Sequence, residues 1–263
     1  MKSNIEGKVI VMTGASRGMG AAAAKLLAAG GAAMVLGAKR MEELELVLRE
    51  IHDKNGKAIG IKTDVTKSRQ VKNLVRRAVE EFGKVDVVIN NAGLMPISPV
   101  KNLHIPEWNQ MIDVNFKGVL YGIAAALPYM KKQKSGHIIN TASVLHRAIR
   151  RGFAIYSATK RAVQALSEGL RQEVEPYNIH ITVLSPGMID MELTNTMNDE
   201  NLTREKQQLY SQNKTSIDSF AWAVFLAVDQ PGNTDAREIV FRPSSPKMQD
   251  FTFFINFLLL EVP

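Results

Sequence analysis

Tyr156 and Lys160 stand four residues apart in the stretch YSATK, a spacing that puts both side chains on one face of a helix. A free phenol, with a pKa of about 10, is a poor acid or base at neutral pH. A nearby ammonium favours the phenolate and lowers that pKa, which makes the pair a proton donor and acceptor for a substrate oxygen. The same spacing arises by chance on ordinary amphipathic helices, so the pair alone decides nothing. A second chemistry is written in TGASRGMGAAAAK, Thr13 to Lys25. Gly14-Ala15-Ser16-Arg17-Gly18 has the G-x-S-x-G form of a turn that exposes a nucleophilic serine. Gly14, Gly18 and Gly20 equally fit a loop whose backbone N–H groups receive a phosphate at a helix N-terminus.

The nucleophile reading requires an acid and then a histidine downstream. The histidines are His52, His104, His137, His146 and His180, and none follows a late strand near the chain end, where that arrangement needs one. The phosphate reading requires a strand before the glycines and a helix after them, and both are present. Gly14 permits the tight turn, Gly18 and Gly20 let backbone approach a pyrophosphate, and Ala21 to Ala24 let the helix pack close to a sheet. Gly18 to Ala23 also satisfies the relaxed form G-x-G-x-x-A.

The elements that must position these residues alternate regularly. Apolar runs of strand length occur at Val9 to Met12, Ala33 to Leu36, Ala58 to Ile61, Val85 to Ile89, His137 to Ile139, Ile179 to Leu184 and Glu238 to Phe241. Helix-like segments lie between them, at Gly20 to Ala29, Met41 to His52, Ser68 to Phe82, Glu107 to Met130, Tyr156 to Val174 and Ile217 to Val228. The strands alternate poorly between apolar and polar residues, as strands covered on both faces do. The expected fold is therefore α/β: a single doubly wound Rossmann-type domain over residues 1–249, with about seven mainly parallel strands flanked by helices, and an apolar tail at 250–263. Ligands of such sheets bind beyond the carboxyl ends of the strands. The segments leaving those ends are TGASRGMG, GAKR, TDVT, NNAG, TASV and SPGMID.

Composition narrows the function classes. The chain has 263 residues, 45% hydrophobic and 22% charged, with a formal charge of +7, which is ordinary globular composition. Cysteine is absent, which removes disulfides, thiolate nucleophiles and Cys-ligated metal and fits a reducing, cytoplasmic setting. The basic balance attracts anions in general. It comes without zinc-ligand spacing or an RNP-like motif, so no nucleic-acid partner and no metal are expected. The first apolar run is too short for a signal peptide, and no transmembrane segment is expected. The tail DFTFFINFLLLEVP is too short to span a bilayer as a helix.

Taken together, TGASRGMG, NNAG at 90–93, Asn115 in VNFKG, Ser143, YSATK at 156–160 and Pro186-Gly187 resemble the short-chain dehydrogenase/reductase family. Ser143 precedes Tyr156 by thirteen residues, and the resemblance runs from about residue 5 to about residue 243. It implies an oxidoreductase that moves a hydride between a nicotinamide cofactor and a carbonyl or alcohol. Tyr156 would be the general acid/base, Lys160 would bind the nicotinamide ribose, Ser143 would hold the substrate oxygen, and Asn115 would anchor a water beside Lys160. Gly14, Ser16, Arg17, Gly18, Met19 and Gly20 would form the phosphate loop, so Ser16 reads as a loop residue. Asp64 and Val65 resemble the adenine-contacting pair, Asn91, Ala92 and Gly93 the strand-end cofactor contact, and Pro186, Gly187 and Ile189 the segment at the nicotinamide carboxamide. Asn90 would be a strand-end residue, and Met191 stands where the family often has threonine.

Strand two ends in LGAKR. Ala38 occupies the usual place of the acid that accepts a ribose 2′-OH, and Lys39, Arg40 and Arg17 are cations for a 2′-phosphate. NADP(H) is expected over NAD(H). A non-catalytic NADP(H)-binding regulator would use the same fold. The substrate pocket is expected between Leu94 to Ser98, Val144 to Ile155 and the polar stretch after Gly187, with Asn195 to Thr215 as a lid. His146, Arg147, Arg150 and Arg151 invite an acidic substrate, but the expectation is that most of these cations face solvent or a neighbouring subunit. The broad apolar faces near 107–130 and 156–174 either pack on the sheet or, as the resemblance implies, form a homodimer or homotetramer interface.

Overall fold

A computed structural model describes residues 3–147, 149, 151–187, 189, 215–232 and 234–243. Seven strands form one sheet in the order β3-β2-β1-β4-β5-β6-β7, with every neighbouring pair parallel. They are β1 (Val9–Thr13), β2 (Ala33–Ala38), β3 (Lys57–Lys62), β4 (Val87–Asn90), β5 (Gly136–Thr141), β6 (Ile179–Pro186) and β7 (Glu238–Phe241). Each expected strand is present. Several run further toward their carboxyl ends than the apolar pattern alone marks, because Thr13, Ala38, Asn90, Thr141 and Pro186 still sit in the ladder.

Successive side chains of a strand point to opposite faces, and both faces are covered. Ile10, Met12, Met34 and Leu36 pack with α1 (Gly18–Ala29), α2 (Met41–His52) and the late helix Ile217–Val228. Val9, Val11, Val35, Val88, Ile138 and Ile181 pack on the other side. There they meet α3 (Ser68–Phe82), α5 (Gly118–Gln133) and α6 (Ala154–Val174). The late helix is α7 in chain order. The apolar face of α5 is thus spent on the sheet, through Val119, Ile123, Ala126 and Met130.

The segment expected as one helix, Glu107 to Met130, is divided. α4 (Ile105–Ile112) passes into a π-helical turn at Asp113–Lys117 before α5 begins. Asn115 lies in that turn, fully buried, and its side chain bonds both backbone groups of Leu94 at 2.9 Å. Apolar periodicity cannot reveal such a widened turn, because the buried face continues through it; π-turns within helices are frequent at functional sites.

A buried polar chain fixes α6 against the sheet. The register sets Asn90 beside Asn140; Asn90 Nδ2 donates to Asn140 Oδ1 at 2.8 Å, and Asn140 Nδ2 donates to Ser167 Oγ at 2.9 Å. Ser167 Oγ donates in turn to the Val163 carbonyl at 2.7 Å. Replacing Asn140 strands polar groups on both sides, so Asn140→Ala should lower unfolding free energy by about 2–3 kcal/mol. Urea denaturation checks this; a loss under about 0.5 kcal/mol would show the chain to be dispensable.

Candidate active site

The chain runs outward from β1 to β3 and then returns to β4 on the other side of β1. That reversal opens a crevice between the carboxyl ends of β1 and β4, where open α/β sheets bind ligands. Thr13 joins the two ends: its Oγ1 accepts from Asn91 N at 3.1 Å and Ala92 N at 3.2 Å. Asn91 Nδ2 donates to the carbonyls of Thr13 and Gly14, both at 3.2 Å. Thr13 opens the TGASRGMG stretch, but the bridging role of its hydroxyl had no sequence signal, because a strand-end threonine fits any β pattern.

The loop from Gly14 to Gly20 fits a dinucleotide pyrophosphate. Gly14 has φ +66°, and a Cβ on Gly20 would stand 2.8 Å from Asn91 Nδ2 and collide with the Gly14 carbonyl. Gly18 has φ +54° with nothing within 4 Å of a built Cβ, so open space lies before it. α1 starts there, with Arg17 as N-cap and no acidic residue in its first turn, leaving unpaired N–H groups for an anion. Met19 is partly buried against the core. Among the described residues, Asn91 Oδ1 is buried without a hydrogen-bond partner beside this loop.

Tyr156 and Lys160 lie on α6, with Tyr156 half-buried and Lys160 only 4% exposed. Lys160 Nζ is 5.8 Å from the Tyr156 ring centroid and donates to the Thr141 carbonyl at 2.7 Å. Burial pushes the Lys160 pKa down to about 8. Gly93 borders the same space: a Cβ built there would be 3.5 Å from Asn115 Oδ1 and 3.7 Å from Lys160 Nζ. Asn115 Nδ2 also donates to Thr159 Oγ1 at 3.3 Å, and that hydroxyl donates to the Tyr156 carbonyl at 2.7 Å. The amide of Asn115 therefore ties the wall after β4 to the first turn of α6. Ser143 is buried just beyond β5, and its Oγ accepts from Leu145 N at 3.3 Å. The turn it caps, Val144–His146, packs against α6.

At the β2 and β3 ends, Ala38 is buried. Lys39 Nζ pairs with Asp64 at 3.3 Å and Arg40 Nε with Glu43 at 2.6 Å. Partial burial alone would raise the Asp64 pKa, but the Thr66 N–H and hydroxyl and Lys39 outweigh it and hold the carboxyl below its ordinary value. Val65 is buried against Gly118 at the start of α5. Ser16 Oγ donates not to the loop but to Glu43 Oε2, at 3.2 Å. Sequence reading missed Glu43, although its position three residues after Arg40 on α2 is the spacing of an ion pair.

On the far side, Pro186 ends β6, Gly187 N donates to the Phe241 carbonyl at 2.8 Å, and Ile189 is buried and bridges Thr215. The expected lid lies outside the described residues apart from Thr215, as do Arg150, Met191 and the tail. His146 is buried, with Nδ1 against the Ser143 carbonyl and Arg147 Nε donating to its Nε2 at 3.1 Å. Arg147 and Arg151 are both exposed, and Arg147 pairs with Glu238.

The family model for short chain dehydrogenases matches residues 8–202. An uncharacterized oxidoreductase of Staphylococcus saprophyticus is 47% identical over 250 residues, covering 94% of this chain and all of the relative. Among solved structures, an alcohol dehydrogenase from the archaeon Thermococcus sibiricus, complexed with 5-hydroxy-NADP, superposes with a TM-score of 0.80 at 29% identity. That match covers 90% of this chain and 97% of the other. An NAD+-bound xylitol dehydrogenase gives a TM-score of 0.82 at 25% identity, covering 91% and 99%. The chain belongs to the short-chain dehydrogenase/reductase family, and is an oxidoreductase with the family's parallel sheet.

Burial penalises the charged form of Lys160, so the ammonium costs folding free energy below about pH 8. That cost is relieved as pH rises from about 8 toward the 10.5 of an exposed lysine. NMR titration of lysine-labelled, ligand-free protein should show one amine with a midpoint near 8 that disappears in Lys160→Met. A midpoint above about 10 would contradict the burial argument.

Proposed function

We propose that the protein transfers a hydride between NADP(H) and a small carbonyl or alcohol substrate, with Tyr156 as the general acid/base. The observation that carries this reading is the gathering of Tyr156, Lys160, Asn115 and Gly93 around one space beside the crevice at the β1 and β4 ends. When bound, the nicotinamide supplies or accepts the hydride. Gly14, Ser16, Arg17, Gly18, Met19 and Gly20 hold the phosphates, with Asp64 and Val65 at the adenine. Asn91, Ala92 and Gly93 line the middle of the crevice, and Pro186, Gly187 and Ile189 the nicotinamide end.

In reduction, Tyr156 Oη would give its proton to the carbonyl oxygen of the substrate. The phenolate left behind is favoured by the Lys160 ammonium, a charge made effective by its exclusion from water. Lys160 would also hold the ribose of the nicotinamide. Ser143 Oγ spends a lone pair on Leu145 N–H, which leaves its proton chemistry free for orienting the substrate oxygen. The space that Asn115 Oδ1 and Lys160 Nζ share beside Gly93 suits a water that returns the proton from solvent. Oxidation of an alcohol runs the same steps in reverse.

Preference for NADP(H) over NAD(H) is supported by Ala38, where no carboxylate meets the ribose 2′-OH, and by Arg17, Lys39 and Arg40 around that rim. The exposed Trp222, Leu226 and Val240 support a homo-oligomer. Nucleotide titration followed by tryptophan fluorescence should give a lower Kd for NADPH than for NADH; tighter NADH binding would overturn the preference. A screen of ketones, aldehydes and quinones by NADPH consumption identifies a working substrate. On that substrate Tyr156→Phe should keep NADPH binding and lose about 100-fold or more in kcat, and retained turnover would refute the assigned acid.

A further inference from the structure

Glu43 reaches the phosphate loop from another element, through Ser16, and the proposed hydride transfer does not use it. It lies in the first turn of α2, three residues beyond Arg40, which caps that helix. One carboxylate oxygen takes Arg40 Nε at 2.6 Å and the other takes Ser16 Oγ at 3.2 Å. The hydrogen bond from Arg40 is the main influence holding Glu43 below the ordinary carboxylate range; partial burial opposes it, and Arg40's charge, Ser16 and Arg17 reinforce it. The group is therefore an anion at neutral pH. It stands on the wall of a cavity of about 420 Å³ between α1 and α2, whose lining includes Ser16, Arg17 and Gly18.

A carboxylate and a phosphate monoester draw on the same donors. Under the reading that the cofactor is NADP(H), on which this inference rests, a 2′-phosphate at the β2 end needs Ser16 and Arg40, and it carries up to two negative charges. Two anions on one set of donors repel, and near a protein surface that repulsion is large enough to move a binding constant by a power of ten. We propose that Glu43 is a specificity-determining residue: an internal anion that holds the 2′-phosphate donors in the free protein and must give them up when a 2′-phosphate binds. It thereby narrows the preference for NADP(H) over NAD(H) that Ala38, Lys39 and Arg40 set up. Position 38 lacks the acid that excludes a phosphate, and Glu43 supplies part of that exclusion from the neighbouring helix.

The test needs no turnover. Isothermal titration of the full chain with 2′,5′-ADP and with 5′-AMP measures what the 2′-phosphate contributes, free of nicotinamide. Glu43→Gln keeps the side chain's size and removes its charge; Glu43→Ala repeats the test without an amide that could itself bond Ser16. In both variants the ratio of the two affinities should shift about tenfold toward 2′,5′-ADP, and the shift should shrink as salt rises. Should the wild type bind both nucleotides while the ratio in the variants stays within about twofold of the wild-type ratio, or moves toward 5′-AMP, Glu43 does not compete for the phosphate and the inference falls alone. Failure of the wild type to bind either nucleotide would remove the cofactor reading, and the inference with it.

Discussion

A lysine ammonium buried to 4% exposure is the constraint around which this molecule is organised. Removing such a charge from water is costly, and Lys160 bears that cost with the Thr141 carbonyl, the last residue of β5, as its hydrogen-bond partner at 2.7 Å. The carbonyl is available because β5 ends there, and the ammonium reaches it because α6 packs against β5 and β6. The same burial that depresses the pKa to about 8 keeps water from screening the charge. The Tyr156 ring stands one helical turn away, its centroid 5.8 Å from the ammonium.

Rigid parts hold that arrangement. The chain from Asn90 through Asn140 to Ser167 ties β4, β5 and α6 below the site, and Asn115 ties the loop after β4 to the first turn of α6 above it. Thr13 joins the glycine loop to the Asn91–Ala92 backbone. The glycine loop and the Tyr156–Lys160 pair thus share one framework, with the sheet's reversal at β1 and β4 between them. Sites built on packed elements with their own supporting hydrogen bonds keep their geometry better than sites on loops.

Much of this was legible in the sequence, for a physical reason. Strands such as Val9–Thr13 and Ala33–Ala38 are apolar on both faces because helices cover both, so their runs stand out and fix the element order. The polar segments between them then fall at the carboxyl ends without further information. What stayed hidden depends on backbone or on side-chain reach. The Thr141 carbonyl has no sequence signature. The π-turn that carries Asn115 sits inside a continuous apolar pattern, so the stretch Glu107 to Met130 reads as one helix. His146 reads as a surface cation from its neighbours Arg147 and Arg151, yet it is buried against the Ser143 carbonyl. Glu43 is an ordinary first-turn acid in sequence, and only the packing of α1 beside α2 brings it to Ser16.

On the proposed reading, the buried ammonium of Lys160 faces a dinucleotide in the β1–β4 crevice, which a crystal structure of the protein with NADPH would reveal. A hydroxyl of the nicotinamide ribose should then stand about 2.7–3.2 Å from Lys160 Nζ, with the pyrophosphate over Gly14 to Gly20. A dinucleotide bound elsewhere, or one in that crevice whose nicotinamide end lies away from Lys160 and Tyr156, would contradict it.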